Sequence, residues 1–229
     1  MNPREAGMGT GRGYVPALGY AWLTRFYDPV VALTTRERTF KRLLIEQAGL
    51  APGQTILDLG CGTGTLAVRI KRAVSAARVS GLDGDPEVLR RARDKARRHR
   101  AEITFEEGLS TDLPYGDACF DRVLSSLFFH HLSPADKRQT SREVHRILNP
   151  GGEFHVADWG KPRNAVMAAL FAVVRTLDGV ENTRDNAEGR LPDIFAESGF
   201  SAVQVRQELA TPLGTIALYS MGKSEVGPG

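Results

Sequence analysis

The sequence has only two cysteines, no apolar run long enough to cross a bilayer, and no internal repeat or low-complexity segment. Cys61 and Cys119 lack the spacing of a metal or redox pair, and the chain shows no signal peptide. We therefore expect a reducing, cytoplasmic compartment. The longest apolar run, Ala165 to Val174, is shorter than the roughly 20 residues of a membrane helix. It predicts a buried helix and no membrane span.

Length and charge set broad limits. The 229 residues include 41% hydrophobic and 25% charged side chains, and the formal net charge is +3. These values are ordinary for one globular α/β domain, and so small an excess of positive charge is weak evidence for an acidic partner. We divide the chain into an N-terminal tail and lid segment (residues 1–35) and a single domain (residues 36–223). The oligomeric state is not predicted.

One stretch, residues 55–65 with the sequence TILDLGCGTGT, organises the chain. Its apolar residues predict a buried parallel strand with Asp58 near its end. Three glycines at every second position then permit a tight turn whose backbone can touch a ligand directly. A helix beginning at Thr65 would point its free N–H groups at the same place.

The residues of this turn limit the classes of ligand that it could bind. A dinucleotide fingerprint requires Gly or Ala where this chain has Thr65, and no Gly-Lys-Ser/Thr follows that could form a phosphate-binding P-loop. Asp58 suits a cationic ligand better than a pyrophosphate. A nicotinamide-dependent Rossmann dehydrogenase is therefore disfavoured, although it stays an alternative.

A second carboxylate follows at an informative distance. The predicted strand Arg78 to Leu82 ends at Asp83, about twenty residues after the glycines, where a doubly wound sheet places the acceptor for a ribose diol. A mere turn residue is the alternative for Asp83. Asp85 and Pro86 then form an N-cap and a first helical position, which predict a helix start.

The rest of the chain alternates helices and strands. Helices are predicted from Thr35 to Ala48, after the Ser133-Pro134 cap, and through Ile194 and Phe195 to Gly199. Strands are predicted at 101–105, 120–127 and 154–158, with a turn at 148–152 and an antiparallel pair at 202–209 and 215–220. The predicted fold is a Rossmann-like, doubly wound α/β sheet of seven mostly parallel strands, with an antiparallel edge strand and helices on both faces.

Together with Phe120-Asp121, the His130-His131-Leu132 tail and the Leu-Asn-Pro-Gly-Gly turn at 148–152, the glycine stretch resembles class I S-adenosylmethionine-dependent methyltransferases. The resemblance is to their small-molecule branch, and in particular to the ubiquinone/menaquinone-biosynthesis type, and it covers residues 36–160 well. It implies S-adenosylmethionine as cofactor, S-adenosylhomocysteine as product and a small-molecule acceptor. The cofactor-binding residues that it implies are Asp58, Gly60, Cys61, Gly62, Gly64, Asp83, Gly84, Leu109, Ser110 and Ser125.

At one position the chain departs from the family pattern. Family members usually carry an Asp that receives the adenine amino group, whereas this chain has Leu109. The backbone N–H of Ser110 is then the expected contact to the adenine ring, with Leu109 beside it.

The acceptor side is predicted less fully. A methyl acceptor that carries a proton needs a base, and His131, after the fourth strand, stands where such a base is expected. A structural histidine that makes a local hydrogen bond is the alternative. Substrate contacts are predicted for Tyr20, Tyr27, His130 and Trp159, although the N-terminal aromatics could equally pack on the sheet.

Two further features of the sequence, a basic helix and a pair of adjacent histidines, bear on other kinds of site. The helix at residues 89–100 is rich in Arg and Lys, which a nucleic-acid methyltransferase or binder would use, but no aromatics interleave and a solvated helix face explains the charges as well. Adjacent histidines without a partner Cys or a helical His pair predict no metal site. Nucleic acid is therefore not the expected partner.

Overall fold

A computed structural model describes residues 36–225, apart from the side chain of Val173. The strands are β1 (Thr55–Leu59), β2 (Arg78–Asp83), β3 (Thr104–Glu107), β4 (Phe120–Ser126), β5 (Leu148–Trp159), β6 (Ser201–Thr211) and β7 (Gly214–Gly222). The helices are α1 (Glu37–Ala48), α2 (Thr65–Ala73), α3 (Pro86–Arg98), α4 (Pro134–Ile147), α5 (Ala165–Asp178), α6 (Arg184–Glu188) and α7 (Leu191–Glu197). A 3₁₀ turn, Phe129–His131, lies between β4 and α4.

The strands form one seven-stranded sheet in the order β3-β2-β1-β4-β5-β7-β6. Strands β1 to β5 are parallel, and β7 runs antiparallel between β5 and β6. The predicted fold class is confirmed, with the reversed strand lying one place inside the edge. The strand order reverses between β1 and β4, and in such sheets ligands bind in the crevice at the carboxyl ends of these two strands.

The sheet is covered on both faces because its strands alternate. Consecutive residues of a strand point to opposite faces. Ile56 of β1 belongs to one buried apolar cluster, which includes Phe40 and Leu44 of α1. Its neighbour Leu57 belongs to a second cluster, which includes Ile194 and Phe195 of α7. The central strands are thereby fixed from both sides, and so are the turns at their ends.

The predicted helix starts are confirmed in detail. Asp85 caps α3 by accepting hydrogen bonds from the N–H groups of Glu87 at 2.9 Å and Val88 at 3.2 Å. Ser133 caps α4 by accepting from the N–H of Asp136 at 3.2 Å. In both helices a proline follows the cap, where a missing N–H costs nothing.

Two strand predictions were wrong in their bounds. The third strand was expected at 101–105 and lies at Thr104–Glu107, because Ala101 donates its N–H to Ala96 and closes the end of α3. The predicted turn at 148–152 is part of β5. There the N–H of Gly151 pairs with the carbonyl of Lys223 at 3.0 Å, so the chain stays in the sheet.

The helix predicted at 165–174 is present, but the prediction that it is buried was wrong. Helix α5 extends to Asp178 and lies on the outside of the sheet, where Val166 and Leu177 are each 66% exposed. Phe171 and Val174 supply its buried contact. The short helix α6, which the sequence analysis did not predict, ends at Gly189 in a left-handed conformation.

Tyr20 and Tyr27 lie outside the described residues. Within residues 36–225, the helices are all too short or too polar for a membrane crossing.

A pair of leucine variants tests this division between core and surface. Leu44→Ala, at a fully buried position of α1, should lower the free energy of unfolding by about 2–5 kcal/mol through lost burial and a residual cavity. Leu177→Ala, at the exposed position of α5, should change it by less than about 0.5 kcal/mol. Urea unfolding measures both. Equal losses would show that the outer face of α5 is covered in solution.

Candidate functional site

The glycine loop between β1 and α2 has a conformation that side chains rarely adopt. Gly60, Gly62 and Gly64 all have positive φ, at 66°, 53° and 73°. A Cβ on Gly60 would lie 2.4 Å from the ring of Phe128, and one on Gly64 would lie 3.0 Å from the ring of Phe105. A Cβ on Gly62 would meet nothing within 4 Å. The first and last glycines are thus needed for packing, while Gly62 borders open space that a ligand can fill.

Asp58 supports this loop from below. Its side chain is fully buried, and Oδ2 accepts a hydrogen bond from the N–H of Ala67, in the first turn of α2, at 2.8 Å. Its other oxygen, Oδ1, has no hydrogen-bond partner among residues 36–225. Burial raises the pKa of Asp58 to about 7, against the opposing effects of the Lys41 charge and the Ala67 N–H. A buried acceptor without a partner is costly, which makes Oδ1 a natural contact for a hydrogen-bond donor or a cation.

Asp83 lies at the end of β2, as predicted, and it orders the same loop. Its Oδ2 accepts the N–H of Gly62 at 2.8 Å, and Oδ1 accepts the N–H of Asp85 at 3.1 Å. Burial raises its pKa, although these N–H groups act in the opposite direction. Each carboxylate oxygen can accept a second hydrogen bond. Asp83 can therefore hold the loop and still receive hydroxyl groups from a ligand.

Cys61 shapes the loop through its backbone. Its N–H donates to the carbonyl of Leu82 at 3.0 Å, which ties the loop to β2. Burial, and then the negative charges of Asp58 and Asp83, raise the pKa of its thiol well above the usual value. The buried side chain therefore stays a neutral thiol and is no nucleophile.

The remaining residues predicted to bind the cofactor differ in how exposed their side chains are and in whether they already make hydrogen bonds within the protein. Leu109 is 53% exposed. Ser110 shares a hydrogen bond with the Thr140 hydroxyl at 2.8 Å, and the Ser125 hydroxyl donates to the carbonyl of Leu59 at 2.9 Å. Both serine hydroxyls are thus used within the protein, and Ser125 is fully buried in β4 between β1 and β5. Gly84 lies between Asp83 and the N-cap of α3.

A residue that the sequence analysis did not single out, Asp158 of β5, fixes the turn that carries the histidines. Its Oδ2 accepts the N–H groups of Phe128 at 3.0 Å and Phe129 at 2.8 Å. Its Oδ1 accepts the N–H of Trp159 at 2.7 Å and lies 2.8 Å from Nδ1 of His130. An acid at the carboxyl end of a strand next to β4 was the available signal, as it was for Asp83.

The buried side chains of Asp158 and His130 shift each other's pKa. Burial alone would raise the pKa of Asp158, but the charge and hydrogen bond of His130 lower it. Burial alone would lower the pKa of His130, but Asp158 and then Asp178 raise it. Trp159, predicted to contact the substrate, is buried: it is 3% exposed, and its ring packs on that of Phe171 with centroids 5.3 Å apart.

His131 is the more accessible histidine, with 21% of its side chain exposed. Burial, and then the neighbouring charge of His130, lower its pKa, so its imidazole is neutral at physiological pH. The two histidine rings lie 3.9 Å apart between centroids. Asp178, at the end of α5, approaches both of them, at 3.6 Å from His130 Nε2 and 3.9 Å from His131 Nδ1. The structure therefore brings His130, His131 and Trp159 together, and it adds Asp178.

Part of the positive charge of α3 serves the glycine loop and the sheet. Lys95 Nζ donates to the hydroxyls of Thr63 at 2.7 Å and Thr65 at 2.6 Å, and Arg93 donates to the carbonyl of Phe105 at 2.8 Å. Other arginines of this helix form ion pairs with Glu87 and Asp94. The basic face is thus partly structural and partly neutralised within its own helix.

Comparison with known proteins agrees with this geometry. Residues 56–152 match a family model described as a methyltransferase domain. An uncharacterized methyltransferase of Synechocystis sp. is 32% identical over 186 residues, which are 81% of this chain and 85% of that protein. A demethylmenaquinone methyltransferase of Deinococcus radiodurans is 33% identical over 135 residues, which are 59% of this chain and 55% of that protein. The chain thus spans little more than half of this second relative.

A solved structure shows the same fold. The structure of a S-adenosylmethionine-dependent methyltransferase from Methanosarcina mazei superposes with a TM-score of 0.64 at 20% sequence identity, covering 79% of this chain and 97% of the other.

The raised pKa of Asp58 leads to a pH-dependent prediction. The folded state holds the Asp58 proton up to about pH 7, against an ordinary value of 3.8, so ionisation of Asp58 should reduce stability as the pH rises through this interval. Asp58→Asn cannot ionise. At pH 8 it should be more stable than the unsubstituted protein by up to about 4 kcal/mol, since one unit of pKa corresponds to about 1.4 kcal/mol. Near pH 4 the difference should be small.

Urea unfolding across this pH range measures the difference. Asp193→Asn, at an exposed position of α7, is the matched control and should follow the unsubstituted protein. A lower stability of Asp58→Asn at pH 8 would contradict the assignment, because it would mean that the ionised carboxylate stabilises the fold.

Proposed function

The chain belongs to the methyltransferase family, and on that premise we propose that it transfers a methyl group from S-adenosylmethionine to a small-molecule acceptor. Its resemblance to class I S-adenosylmethionine-dependent methyltransferases is confirmed at the level of the family and the fold. The observation that carries the proposal is the glycine loop between two strand-end carboxylates, with open space at Gly62.

The residues of this loop fit an adenosyl sulfonium cofactor. Asp83 has lone pairs left for the ribose hydroxyls. Asp58 offers the unpartnered Oδ1 and, once ionised, a negative charge for the cationic part. The space at Gly62 lets the ligand approach the backbone, and the exposed Leu109 side chain can flank the adenine. When bound, S-adenosylmethionine supplies a methyl group that is already activated on a sulfonium sulfur. The chain's own task is then to orient the acceptor and to exclude water.

The acceptor side is assigned to the histidine turn. Phe128 connects it to the cofactor side, because its ring packs against Gly60 while its N–H donates to Asp158. His131 presents a partly exposed, neutral imidazole there. A neutral imidazole has one ring nitrogen with a free lone pair, which can assist removal of a proton from the acceptor. His130 is buried and acts by holding the turn through Asp158.

A small molecule is the proposed acceptor class for two reasons. The Deinococcus relative, by its name, methylates a demethylmenaquinone, and the resemblance noted in the sequence is to enzymes of quinone biosynthesis. The basic helix α3, which a nucleic-acid acceptor would use, directs Lys95 and Arg93 to partners within the fold. The dehydrogenase alternative is not supported by the family match.

The acceptor class can be tested without knowing the acceptor. The full chain is incubated with methyl-labelled S-adenosylmethionine and a cell lysate, which is then separated by size and treated with nuclease or protease. We expect label in the low-molecular-weight, solvent-extractable fraction. Label that becomes small only after nuclease or protease treatment would contradict the proposal and indicate a nucleic-acid or protein acceptor.

Asp83→Asn tests the cofactor side. The amide can still accept the N–H of Gly62, but it lacks the charge that strengthens hydrogen bonds to the ribose. S-adenosylhomocysteine binding should therefore weaken by roughly 1–3 kcal/mol in calorimetry. Asp85→Asn, two residues away, keeps its capping role because Asn caps as well as Asp, and should bind normally. Unchanged affinity in Asp83→Asn would remove Asp83 from the ribose site.

His131→Gln tests the acceptor side. It should leave S-adenosylhomocysteine affinity unchanged, and it should lower turnover on the acceptor found in the labelling experiment by roughly 10²–10⁴-fold, the range for a lost acid–base group. His145→Gln, in α4 against Phe200, is the control with normal turnover. Full activity of His131→Gln would make His131 a structural residue.

A further inference from the structure

Three potential metal ligands converge beside the histidine turn. They are one ring nitrogen each from His130 and His131 and a carboxylate oxygen of Asp178, and these three atoms all lie within 4.8 Å of one another. Asp178 Oδ2 is 3.6 Å from Nε2 of His130, and Asp178 Oδ1 is 3.9 Å from Nδ1 of His131. Around a tetrahedral ion with bonds of about 2.0–2.1 Å, neighbouring ligand atoms lie about 3.4 Å apart. The two carboxylate–nitrogen distances therefore exceed this spacing by a few tenths of an ångström, and the widest separation in the cluster exceeds it by at most about 1.4 Å.

The orientation of His130 favours coordination. Its Nδ1 lies 2.8 Å from Asp158 Oδ1, so the ring proton on Nδ1 is donated there and the lone pair is on Nε2, toward Asp178 and His131. Metal-bound histidines almost always have such a carboxylate or carbonyl partner on the second nitrogen, because it fixes the tautomer and the ring plane. Asn186 and the N–H of Trp159 hold the same Asp158 oxygen.

The cluster is also held rigidly and shielded from water. The side chains of His130 and Asp178 are 2% and 9% exposed. Asn182 donates to the carbonyl of His131 at 3.0 Å, and the buried Lys137 in turn donates to the carbonyl of Asn182 and lies 3.5 Å from Asp185. Two imidazoles and one carboxylate, supported from a second layer of buried groups, are a donor set for a divalent transition metal more than for Mg²⁺ or Ca²⁺.

We propose that His130, His131 and Asp178 bind one divalent cation of the zinc type, with a fourth position open on the side of His131. The role of that open position rests on the proposed function: an oxygen of the methyl acceptor would occupy it. A cation there would lower the pKa of an acceptor hydroxyl, so that its proton would pass to solvent water on the open side and its oxygen would take the methyl group from the sulfonium. With the ion bound, His131 would assist methyl transfer as a ligand through Nδ1, in place of taking the acceptor's proton itself. Binding of the ion itself does not depend on the proposed function.

An alternative to a bound metal ion is an additional proton on His130. A doubly protonated His130 between Asp158 and Asp178 would also account for the close approach of these three side chains. The two arrangements differ in one respect that can be measured, which is whether the protein takes up one equivalent of a transition metal at this place.

The test uses Zn²⁺ and the full chain after dialysis against a chelator. Calorimetry should show one site, and Zn²⁺ should raise the melting temperature because it binds the folded state. Asp178→Asn and His131→Gln, which each remove one ligand, should weaken Zn²⁺ binding by at least about tenfold, the lower bound found even for residues that only support ligands. Asp193→Asn and His145→Gln are matched controls and should bind Zn²⁺ as the unsubstituted protein does.

Cofactor binding separates this proposal from the previous one. A variant that retains its S-adenosylhomocysteine affinity is folded. One folded variant, either Asp178→Asn or His131→Gln, is enough to test the Zn²⁺ site. If the unsubstituted protein does not bind Zn²⁺, or if the two ligand variants bind it as tightly as the unsubstituted protein does, the metal site is overturned and the protonated His130 is left as the explanation. If the unsubstituted protein does not bind S-adenosylhomocysteine, the proposed function is overturned, while the Zn²⁺ result still stands.

Discussion

Hydrogen bonds from backbone N–H groups to carboxylates at the ends of parallel strands are the interaction on which the site depends. Asp58 of β1 accepts the N–H of Ala67, Asp83 of β2 accepts that of Gly62, and Asp158 of β5 accepts those of Phe128 and Phe129. Asp158, whose pKa is lowered, accepts as an ionised group, and bonds to an ionised acceptor are stronger than neutral ones. The three carboxylates therefore fix the position of two turns that no regular helix or strand would fix.

These two turns meet at the point where the strand order reverses. The glycine loop follows β1 and the histidine turn follows β4, and β1 and β4 are neighbours in the sheet. Phe128 joins them, since its ring occupies the space that a Cβ on Gly60 would need. A displacement of either turn would be transmitted to the other, so a donor on one side and an acceptor on the other are held in a fixed relation. Fixed relative position is what methyl transfer from an activated donor requires.

The cofactor side could be predicted from sequence because its signals are local. The apolar strand, the alternating glycines and the spacing to Asp83 all lie within one βαβ unit, whose geometry is nearly invariant. The cap residues Asp85 and Ser133 were predictable for the same reason. Even here the outcome differed in detail, because the start of β3 depends on how Ala101 closes the preceding helix.

The acceptor side could be predicted only in part, because its partners are distant in sequence. His130 and His131 could be placed at the end of a strand, but their relation to Asp158 and Asp178 arises from the packing of β5 and α5. Helix α5 was expected to be buried from its apolar composition alone, whereas two of its residues supply the contact. The continuation of β5 through 148–152 depends on pairing with Lys223, near the other end of the described chain.

A crystal structure of the complex with S-adenosylhomocysteine tests most directly whether the cofactor lies against Gly62, between Asp58 and Asp83. We expect the ribose hydroxyls within hydrogen-bond distance of Asp83 and the cofactor in contact with the backbone of the glycine loop at Gly62. Density for S-adenosylhomocysteine at another place, or a ribose that makes no contact with Asp83, would contradict it.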